Sequence, residues 1–326
     1  MSWLVLQKLA AMFIVVAIGW WAGRQRWLGE GDTARVLGNA AFMIFVPALL
    51  FRTAARLPLA TLPWQTLAAF FVPTLVLTLA IYAWVRTRGA QTRARAPGAA
   101  EVPARAAVCA ITGVYGNAVQ VGIPMAAALF GESGLGLHLT LVSLHGLVLL
   151  TVLTALVEHD VAGAQGVGSR SEVWRTMLRT IVVHPVVLPL LAGLAFNAAG
   201  LQLPELVDQL LQVLGTAVVP VCLVLIGLSL QHYGVSGPLR ESIVLSVVKL
   251  IVMPACVWPV AHWGFGLSGQ PLAVVVLMAA LPVGSNALIF AQRYRTDEAA
   301  ATAAIVISTV AFALTAPLWL AALAHS

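Results

Sequence analysis

The sequence predicts an all-α membrane protein of ten transmembrane helices, arranged as two inverted five-helix repeats with two crossed, broken helices. Three observations predict this fold: a very apolar composition, ten apolar segments of spanning length, and two helix breaks at matching places. Hydrophobic residues make up 60% of the 326 residues and charged residues only 9%, whereas a soluble domain carries about 25% charged residues. The chain therefore belongs in a lipid bilayer, and its net charge of +6 does not indicate a nucleic-acid partner.

Ten apolar segments are long enough to cross a bilayer, which takes roughly 20 residues of helix. The first begins near the N-terminus, which lacks the basic start and the small-residue cleavage site of a signal peptide. The three cysteines lie in apolar segments and predict neither a disulfide framework nor a metal cluster. Numbered in chain order, the predicted spans are 3–23, 36–56, 62–85, 106–130, 136–157, 177–199, 205–231, 241–263, 271–292 and 299–323.

The basic residues predict how the spans are oriented. Cytoplasmic loops of membrane proteins carry an excess of Lys and Arg. With both termini outside the cell, 14 of the 18 cations fall in cytoplasmic loops. Only Lys8, Arg52 and Arg56 then lie outside, and Lys249 lies within a span. We therefore expect a multi-pass protein of the inner (plasma) membrane with its N-terminus and C-terminus outside.

Two pairs of similar motifs divide the chain into halves. The segment from Val46 to Phe51 resembles the segment from Val219 to Val224, and Asn117 matches Asn286 at nearly the same separation along the chain. Similar separations of independent motifs favour a repeat over chance. Five spans in each half force the second half to run upside-down. We expect a first repeat over 1–157, a cytoplasmic linker over 158–176 and an inverted second repeat over 177–326.

The two helix breaks are the candidate site. They run from Asn117 to Pro124 in span 4 and from Leu281 to Asn286 in span 9. Gly and Pro are tolerated at bilayer depth where the freed backbone is buried in protein or lines a cavity, and paired breaks in two halves indicate a transporter's binding site. A lone Asn more often joins helices, but two at matching breaks favour a substrate site. The candidate substrate-binding residues are Asn117, Gln120, Gly122, Pro124, Pro282, Ser285 and Asn286, with Tyr115 and Thr112 as weaker candidates.

The ionisable residues bear on ion coupling. All twelve acidic residues lie in predicted loops or at span ends, so no mid-span carboxylate is present for sodium or a proton. Sodium bound by carbonyl, amide and hydroxyl oxygens remains an alternative. Lys249 lies within span 8, where a cation is a functional candidate by default. Three roles are open for Lys249. It caps an unwound helix as a structural residue, it replaces a coupling cation, or it carries a coupled proton. His145 and His184 are interpreted as hydrogen-bonded core residues.

These motifs resemble the auxin efflux carrier family, in particular its bacterial malonate-type carriers. The resemblance implies the ten-helix fold of bile-acid symporters and sodium–proton antiporters. Spans 1, 2, 6 and 7 would form a scaffold, spans 3–5 and 8–10 the moving transport domain, and spans 4 and 9 would cross at Pro124 and Pro282. The resemblance also implies a homodimer through spans 2 and 7. Its motifs are Pro47-Ala-Leu-Leu-Phe51, Gly116-Asn117, Gly122-Ile-Pro124, Lys249-Leu-Ile-Val-Met-Pro254, Leu281-Pro282 with Asn286, and Ile307-Ser-Thr309.

The sequence therefore predicts a secondary active transporter of a small organic anion, a carboxylate such as malonate or an auxin-like acid, without a cofactor and with protons as a possible partner. A passive channel is the first alternative, but it needs a continuous polar pore that these apolar spans do not suggest. A membrane-embedded receptor or enzyme is the second, and the short loops disfavour it. No P-loop precedes either lysine, and Ser246-Val-Val-Lys249 lacks the partner motifs of acyl-transfer enzymes.

Overall fold

The computed structural model describes residues 3–29, 33–56, 63–95, 104–165, 187–233 and 239–323. Within these ranges the chain is almost entirely helical, as predicted, and extended backbone pairs only in an isolated antiparallel bridge between Gly116 and Val283. The helices of the first half are α1 (Trp3–Arg24), α2 (Thr33–Ala40), α3 (Val46–Ala55), α4 (Trp64–Arg95), α5 (Arg105–Val114) and α6 (Ile123–Gln165). Those of the second half are α7 (Val187–Ala198), α8 (Glu205–Thr216), α9 (Val218–Tyr233), α10 (Leu239–Val247), α11 (Met253–Pro259), α12 (Gly269–Ala280), α13 (Asn286–Tyr294) and α14 (Glu298–Leu323).

Six helical stretches of the described chain are long and apolar enough to cross a membrane. At a rise of 1.5 Å per residue, about 20 residues match the hydrocarbon core of a bilayer. Three shorter helices are also apolar: Ala10–Arg24, Arg105–Val114 and Gly269–Ala280. The six long stretches are Thr33–Ala55, Trp64–Gly89, Ala118–Val157, Glu205–His232, Leu239–Gly264 and Glu298–Leu323.

Several helix boundaries differ from the predicted ones. α4 continues to Arg95, beyond the predicted end of span 3 at 85. α6 continues to Gln165, so the first part of the linker predicted over 158–176 is helical, and 166–176 lie outside the described residues. His184 and the start of span 6 also lie outside them. Predicted spans 4 and 5 meet within α6 at Gly131, whose φ of 66° and ψ of −159° break the helix in a conformation that glycine adopts readily.

Four π-helical turns interrupt the α-helices of the described chain. They span Ala41–Phe45, Ala118–Gly122, Val248–Val252 and Val260–Gly264. A π-turn shifts the hydrogen-bond register by one residue, and such turns are frequent at functional sites. Two of them contain residues that the sequence marks as site candidates, namely Gln120 and Gly122 in the second turn and Lys249 in the third.

Glycines allow two pairs of helices to approach backbone to backbone. A Cβ atom on Gly19 would lie 2.4 Å from the carbonyl oxygen of Val224, so α1 packs closely against α9. A Cβ atom on Gly193 would lie 2.6 Å from the carbonyl oxygen of Phe51, so α7 packs equally closely against α3. Small residues at helix contacts are typical of membrane proteins, where close van der Waals packing drives association.

Ion pairs link helices near their ends. Arg52 Nε lies 2.9 Å from Asp208 Oδ1 and Arg56 Nη2 lies 2.7 Å from the same oxygen, which joins α3 to α8. Arg86 Nη2 lies 3.4 Å from Asp160 Oδ1, which joins α4 to α6. These contacts join helices that are distant in sequence.

Candidate functional site

The second predicted break interrupts its helix as expected, and the first is shifted. Residues 281–285 separate α12 from α13, within the predicted range 281–286. Residues 115–117 separate α5 from the π-turn that precedes α6 and share only Asn117 with the predicted range 117–124. Leu281 is extended, with φ −56° and ψ 149°, because the ring of Pro282 disfavours the helical region for the residue before it. Pro282 also has no N–H to continue the helix, so its local chemistry explains why α12 ends here.

The two breaks lie side by side and share their backbone hydrogen bonds. The N–H of Asn117 donates to the Pro282 carbonyl (2.8 Å), and the N–H of Gly284 donates to the Tyr115 carbonyl (2.9 Å). Each break supplies partners that the other lost on leaving the helix, as an apolar environment requires. A Cβ atom on Gly284 would lie 2.8 Å from the Gly116 carbonyl oxygen, so glycine permits this approach.

The contact differs in position from the crossing at two prolines that the family resemblance implies. Pro282 is at the contact, but Pro124 lies two helical turns beyond Asn117, buried in the first turn of α6. The π-turn Ala118–Gly122 separates Pro124 from the break. Gly122 is buried as well, and a Cβ atom there would lie 2.5 Å from His138 Nε2 and 2.8 Å from Leu281 Cδ1. A larger side chain at residue 122 would therefore not fit between His138 and Leu281.

Five polar candidates gather around the breaks in two hydrogen-bonded groups. Asn117 Nδ2 donates to Gln120 Oε1 (2.9 Å), and the Gln120 N–H donates to Asn117 Oδ1 (3.2 Å), so Asn117 caps the resuming helix as Asn commonly does. Ser285 Oγ lies 3.5 Å from Gln120 Oε1. In the second group, Asn286 Nδ2 donates to the Tyr115 hydroxyl oxygen at 2.7 Å. Side chains of both halves therefore meet at the breaks.

The remaining weaker candidate does not join these groups. Thr112 is buried in α5, and its hydroxyl donates to the Val108 carbonyl of the same helix at 2.7 Å. A threonine that bonds back to the preceding turn satisfies its own hydroxyl locally. Thr112 therefore has a structural explanation that needs no ligand.

Lys249 lies directly behind the breaks and is fully buried. Its ammonium donates to the Ala279 carbonyl, at the C-terminal end of α12, where the helix dipole favours a positive charge. A Cβ atom on Gly116 would lie 3.5 Å from Lys249 Nζ, so the charge is next to the first break. In the part of the chain that the structure describes, no carboxylate pairs with it.

Two buried histidines of α6 flank the first break. Sequence analysis interprets His145 as a hydrogen-bonded core residue; it is buried, but its Nε2 has no hydrogen-bond partner among the described residues. Its ring centroid lies 4.3 Å from that of Tyr115 and 5.9 Å from that of Phe70. His138 lies two turns earlier, with Nε2 2.9 Å from the Ala118 carbonyl oxygen. Sequence reasoning missed His138, because a single histidine in an apolar span carries no pattern that points to a contact so far away in the chain.

A polar cluster lies at the opposite end of α5. Arg105 Nη2 lies 3.1 Å from Glu241 Oε1 and Arg105 Nε lies 3.2 Å from Asp297 Oδ2. Cys109 Sγ lies within 4.8 Å of both carboxylates, although the sequence spacing of its cysteines predicts no cluster. Burial raises the pKa of the Asp297 carboxyl, and Arg105 opposes that rise. Since Arg105 pairs with both acids, the cluster is an ion-pair network that joins α5, α10 and the start of α14.

Comparisons with known proteins agree with this arrangement. A family model described as membrane transport protein matches residues 4–320. The chain is 23% identical over 316 residues to an uncharacterized transporter of Methanothermobacter thermautotrophicus, covering 96% of both proteins. It is 24% identical over 281 residues to a Rhizobium meliloti protein named "Putative malonate transporter", covering 86% of this chain and 84% of that protein. It is 23% identical over 313 residues to the uncharacterized transporter YfdV of Escherichia coli, covering 96% and 95%.

The family match extends over nearly the whole chain, and the apolar helices suit a multi-pass membrane protein. The relatives are transporters by name, which agrees with the sequence prediction of a transport protein and not an enzyme. Both the match and the motifs around the two breaks lead to the same assignment. The chain belongs to the membrane transport protein family of auxin efflux carriers, as its sequence motifs predicted.

Proposed function

We propose that this protein is a secondary active transporter of a small organic anion, a carboxylate such as malonate or an auxin-like acid, that works by alternating access. One observation carries the proposal: two broken helices meet at their breaks, where Asn117, Gln120, Ser285 and Asn286 gather. Paired broken helices are typical of a transporter's substrate site. The name of the Rhizobium meliloti relative supports the carboxylate class.

The electrostatics of the breaks favour an anion. Helix resumes directly after each break, at Ala118 and at Asn286, and helix N-termini present N–H groups and a partial positive charge. The amide groups of Asn117 and Asn286 are donors for a carboxylate, and hydrogen bonds to an ionised group are stronger than neutral ones. Lys249 adds a full positive charge behind Gly116. Pro282, Pro124 and Gly122 would contribute by shaping the backbone.

We further propose the ten-span, inverted-repeat architecture. Helix is present in every predicted span as far as the described residues reach. The glycine contacts support the repeat, because Gly19 meets the carbonyl of Val224 and Gly193 meets that of Phe51. Phe51 ends the first of the two similar motifs, and Val224 ends the second. Gly19 and Gly193 are separated by nearly as many residues as Phe51 and Val224 are, so the two glycines are equivalent as well. Exchanging the halves therefore exchanges the two contacts, as a repeat requires.

The same contacts support a division into scaffold and transport domain. Spans 1 and 7 pack together, as do spans 2 and 6, which makes these four the proposed scaffold. Arg105 joins the starts of spans 4, 8 and 10, so the proposed transport domain of spans 3–5 and 8–10 would move as one body. We propose both termini outside the inner membrane, and a homodimer through spans 2 and 7. The exposed apolar side chains of Met43, Leu206, Leu210 and Val213 support a lipid or protein partner there.

For coupling, we propose that transport is independent of sodium and depends on the positive charge of Lys249. The absence of a carboxylate partner for Lys249 among the described residues supports this. A bound anion would stabilise the buried ammonium, since opposite charges attract strongly away from water. The charge would serve as a fixed replacement for a coupling cation or as the group that carries a proton.

The test is uptake of radiolabelled malonate, with a panel of mono- and dicarboxylates as competitors, into proteoliposomes of the purified protein. We expect saturable uptake by the wild type. Asn117→Ala and Asn286→Ala should each weaken substrate affinity about 10- to 100-fold, because a hydrogen bond to a charged group contributes about 1.5–3 kcal/mol.

Asn197→Ala is the matched control. Asn197 lies in α7 and donates to the Ala54 carbonyl at 3.0 Å, within the proposed scaffold. The Asn197→Ala substitution should leave the KM for substrate at the wild-type value. Wild-type kinetics in both Asn117→Ala and Asn286→Ala would remove the breaks as the site. Uptake that never exceeds equilibrium under any ion gradient would favour a passive channel instead.

A further inference from the structure

His138 contacts the resuming helix through a hydrogen bond that defines its protonation. The ring is fully buried on α6, and Nε2 lies 2.9 Å from the Ala118 carbonyl oxygen. A carbonyl oxygen can only accept, so Nε2 carries the hydrogen of the neutral ring. Nδ1 is then a bare acceptor, and it has no hydrogen-bond partner among the described residues.

The π-turn rearranges the hydrogen bonds around the Ala118 carbonyl. The N–H of Gly122 donates to the Asn117 carbonyl (3.0 Å), and the N–H of Ile123 donates to the Val119 carbonyl. The imidazole of His138 adds a side-chain donor to the Ala118 carbonyl between them. A hydrogen bond of this kind contributes about 0.5–1.5 kcal/mol.

Gly122 leaves the space that the imidazole of His138 occupies. A Cβ atom at residue 122 would lie 2.5 Å from His138 Nε2 and 2.7 Å from its Cε1. Real Cβ atoms do not approach ring atoms this closely, so any larger residue would push the ring away from Ala118. Gly122 and His138 are more than four helical turns apart in the chain. The same Cβ atom would also lie 2.8 Å from Leu281 Cδ1, so Gly122 leaves room for Leu281 as well as for the ring.

The bond from Nε2 to Ala118 distinguishes His138 from His145, whose Nε2 is also buried without a hydrogen-bond partner among the described residues. Burying the polar Nδ1 of His138 has a cost that an apolar residue would avoid. The cost is offset if the bond to Ala118 keeps the turn in place. That turn begins at Asn117 and contains Gln120, two of the proposed substrate contacts.

We infer that His138 is a positioning residue of the substrate site: its neutral imidazole, admitted by Gly122, holds the first turn of the helix that presents Asn117 and Gln120. The inference rests on the proposed function only in naming that turn as a substrate site. His138 itself does not touch the substrate. Its removal should loosen the turn and weaken substrate binding, with little effect on the rate at saturating substrate.

The test compares His138→Leu, His138→Gln and the control Ser143→Ala. Ser143 is buried on the same helix, and its hydroxyl donates within α6 to the Leu139 carbonyl. Two readouts are taken: deuterium exchange of the backbone amides over 117–124, and the KM and Vmax of malonate uptake. His138→Leu should speed exchange about tenfold and raise KM about tenfold. His138→Gln should stay near the wild type, because its amide nitrogen reaches about as far as Nε2, and Ser143→Ala should change neither readout.

A suppressor pair tests the role of Gly122. Gly122→Ala should impair the wild type strongly but cost less when combined with His138→Ala, because the ring that the methyl group would meet is gone. Equal cost in both backgrounds would overturn the paired role. If His138→Leu does not fold, His138→Asn, whose amide is too short to reach Ala118, takes its place in the comparison with Gln.

The two readouts separate this inference from the proposed function. Unchanged exchange over 117–124 in His138→Leu overturns the inference, whatever the transport result. Faster exchange in a protein that transports no carboxylate supports the positioning role and instead refutes the proposed function. Faster exchange in Ser143→Ala as well would assign the effect to general loosening of α6 and also overturn the inference.

Discussion

Replacing Lys249 separates its two interpretations, a structural cap and a coupling charge. Lys249→Gln retains a donor for the Ala279 carbonyl but removes the charge, and Lys249→Met removes both. Under the coupling proposal, both variants lose accumulation driven by a pH gradient. Under the cap interpretation, Gln retains accumulation and only Met is impaired.

The structure provides the magnitudes for this comparison. The ammonium is fully buried and has one hydrogen bond, to a carbonyl, without a carboxylate partner in the described residues. A charged side chain at bilayer depth costs about 2.5–3.5 kcal/mol or more, while a hydrogen bond to a charged group contributes about 1.5–3 kcal/mol. Since these terms nearly cancel, Lys249→Met should change the free energy of unfolding by no more than about 2 kcal/mol. A stability measurement therefore does not separate the two interpretations of Lys249, and a transport assay is needed.

The assay is malonate accumulation in proteoliposomes under an imposed pH gradient and, separately, an imposed sodium gradient. One pH unit is equivalent to about 1.4 kcal/mol per proton, so a single coupled proton would support about tenfold accumulation in the wild type. Both Lys249 variants should reach only equal concentrations on the two sides. Sodium-driven accumulation by the wild type, or full pH-driven accumulation by Lys249→Gln, would refute the reasoning and leave Lys249 as a cap.

Three further predictions concern the fold. In a background without native cysteines, Gln91→Cys should react with a membrane-impermeant thiol reagent only from the cytoplasmic side and Ser268→Cys only from outside; the reverse pattern would overturn the proposed orientation. Gly227→Ala should greatly reduce the yield of folded protein, because its Cβ atom would lie 2.1 Å from a backbone oxygen of α1. Gly89→Ala, with nothing within 4 Å of the added Cβ, should be neutral or slightly stabilising, and equal yields would contradict the close packing. Mass determination in nanodiscs should give two copies per particle, and a monomer would count against the proposed dimer.

The break after α12 was predictable because its cause is local. Pro282 cannot donate a backbone hydrogen bond and restricts Leu281, whatever surrounds them, and the structure has Leu281 extended. The apolar helices were predictable for a similar reason, since the bilayer imposes length and composition on each one separately. Motifs at the breaks were also sufficient to indicate the family, which the family model confirms.

Contacts between distant residues were not predictable in the same way. Sequence reasoning expected the crossing at Pro124, but the π-turn before α6 moves the contact to 115–117. It selected Gly122 as a site residue but gave no sign that this glycine leaves room for His138 and Leu281. The spacing of the cysteines also gave no sign that Cys109 would lie beside two carboxylates.

By itself, the sequence indicated that this chain enters a membrane, that a helix breaks at Pro282 and to which family the chain belongs. Each of these depends on the chemistry of a short segment and on the solvent around it. Only the tertiary structure decided that Asn286 meets Tyr115, that Lys249 meets Ala279 and that His138 meets Ala118. Such partners depend on how helices far apart in the chain pack against one another. The local sequence around a single residue in an apolar segment does not specify which distant residue it will contact.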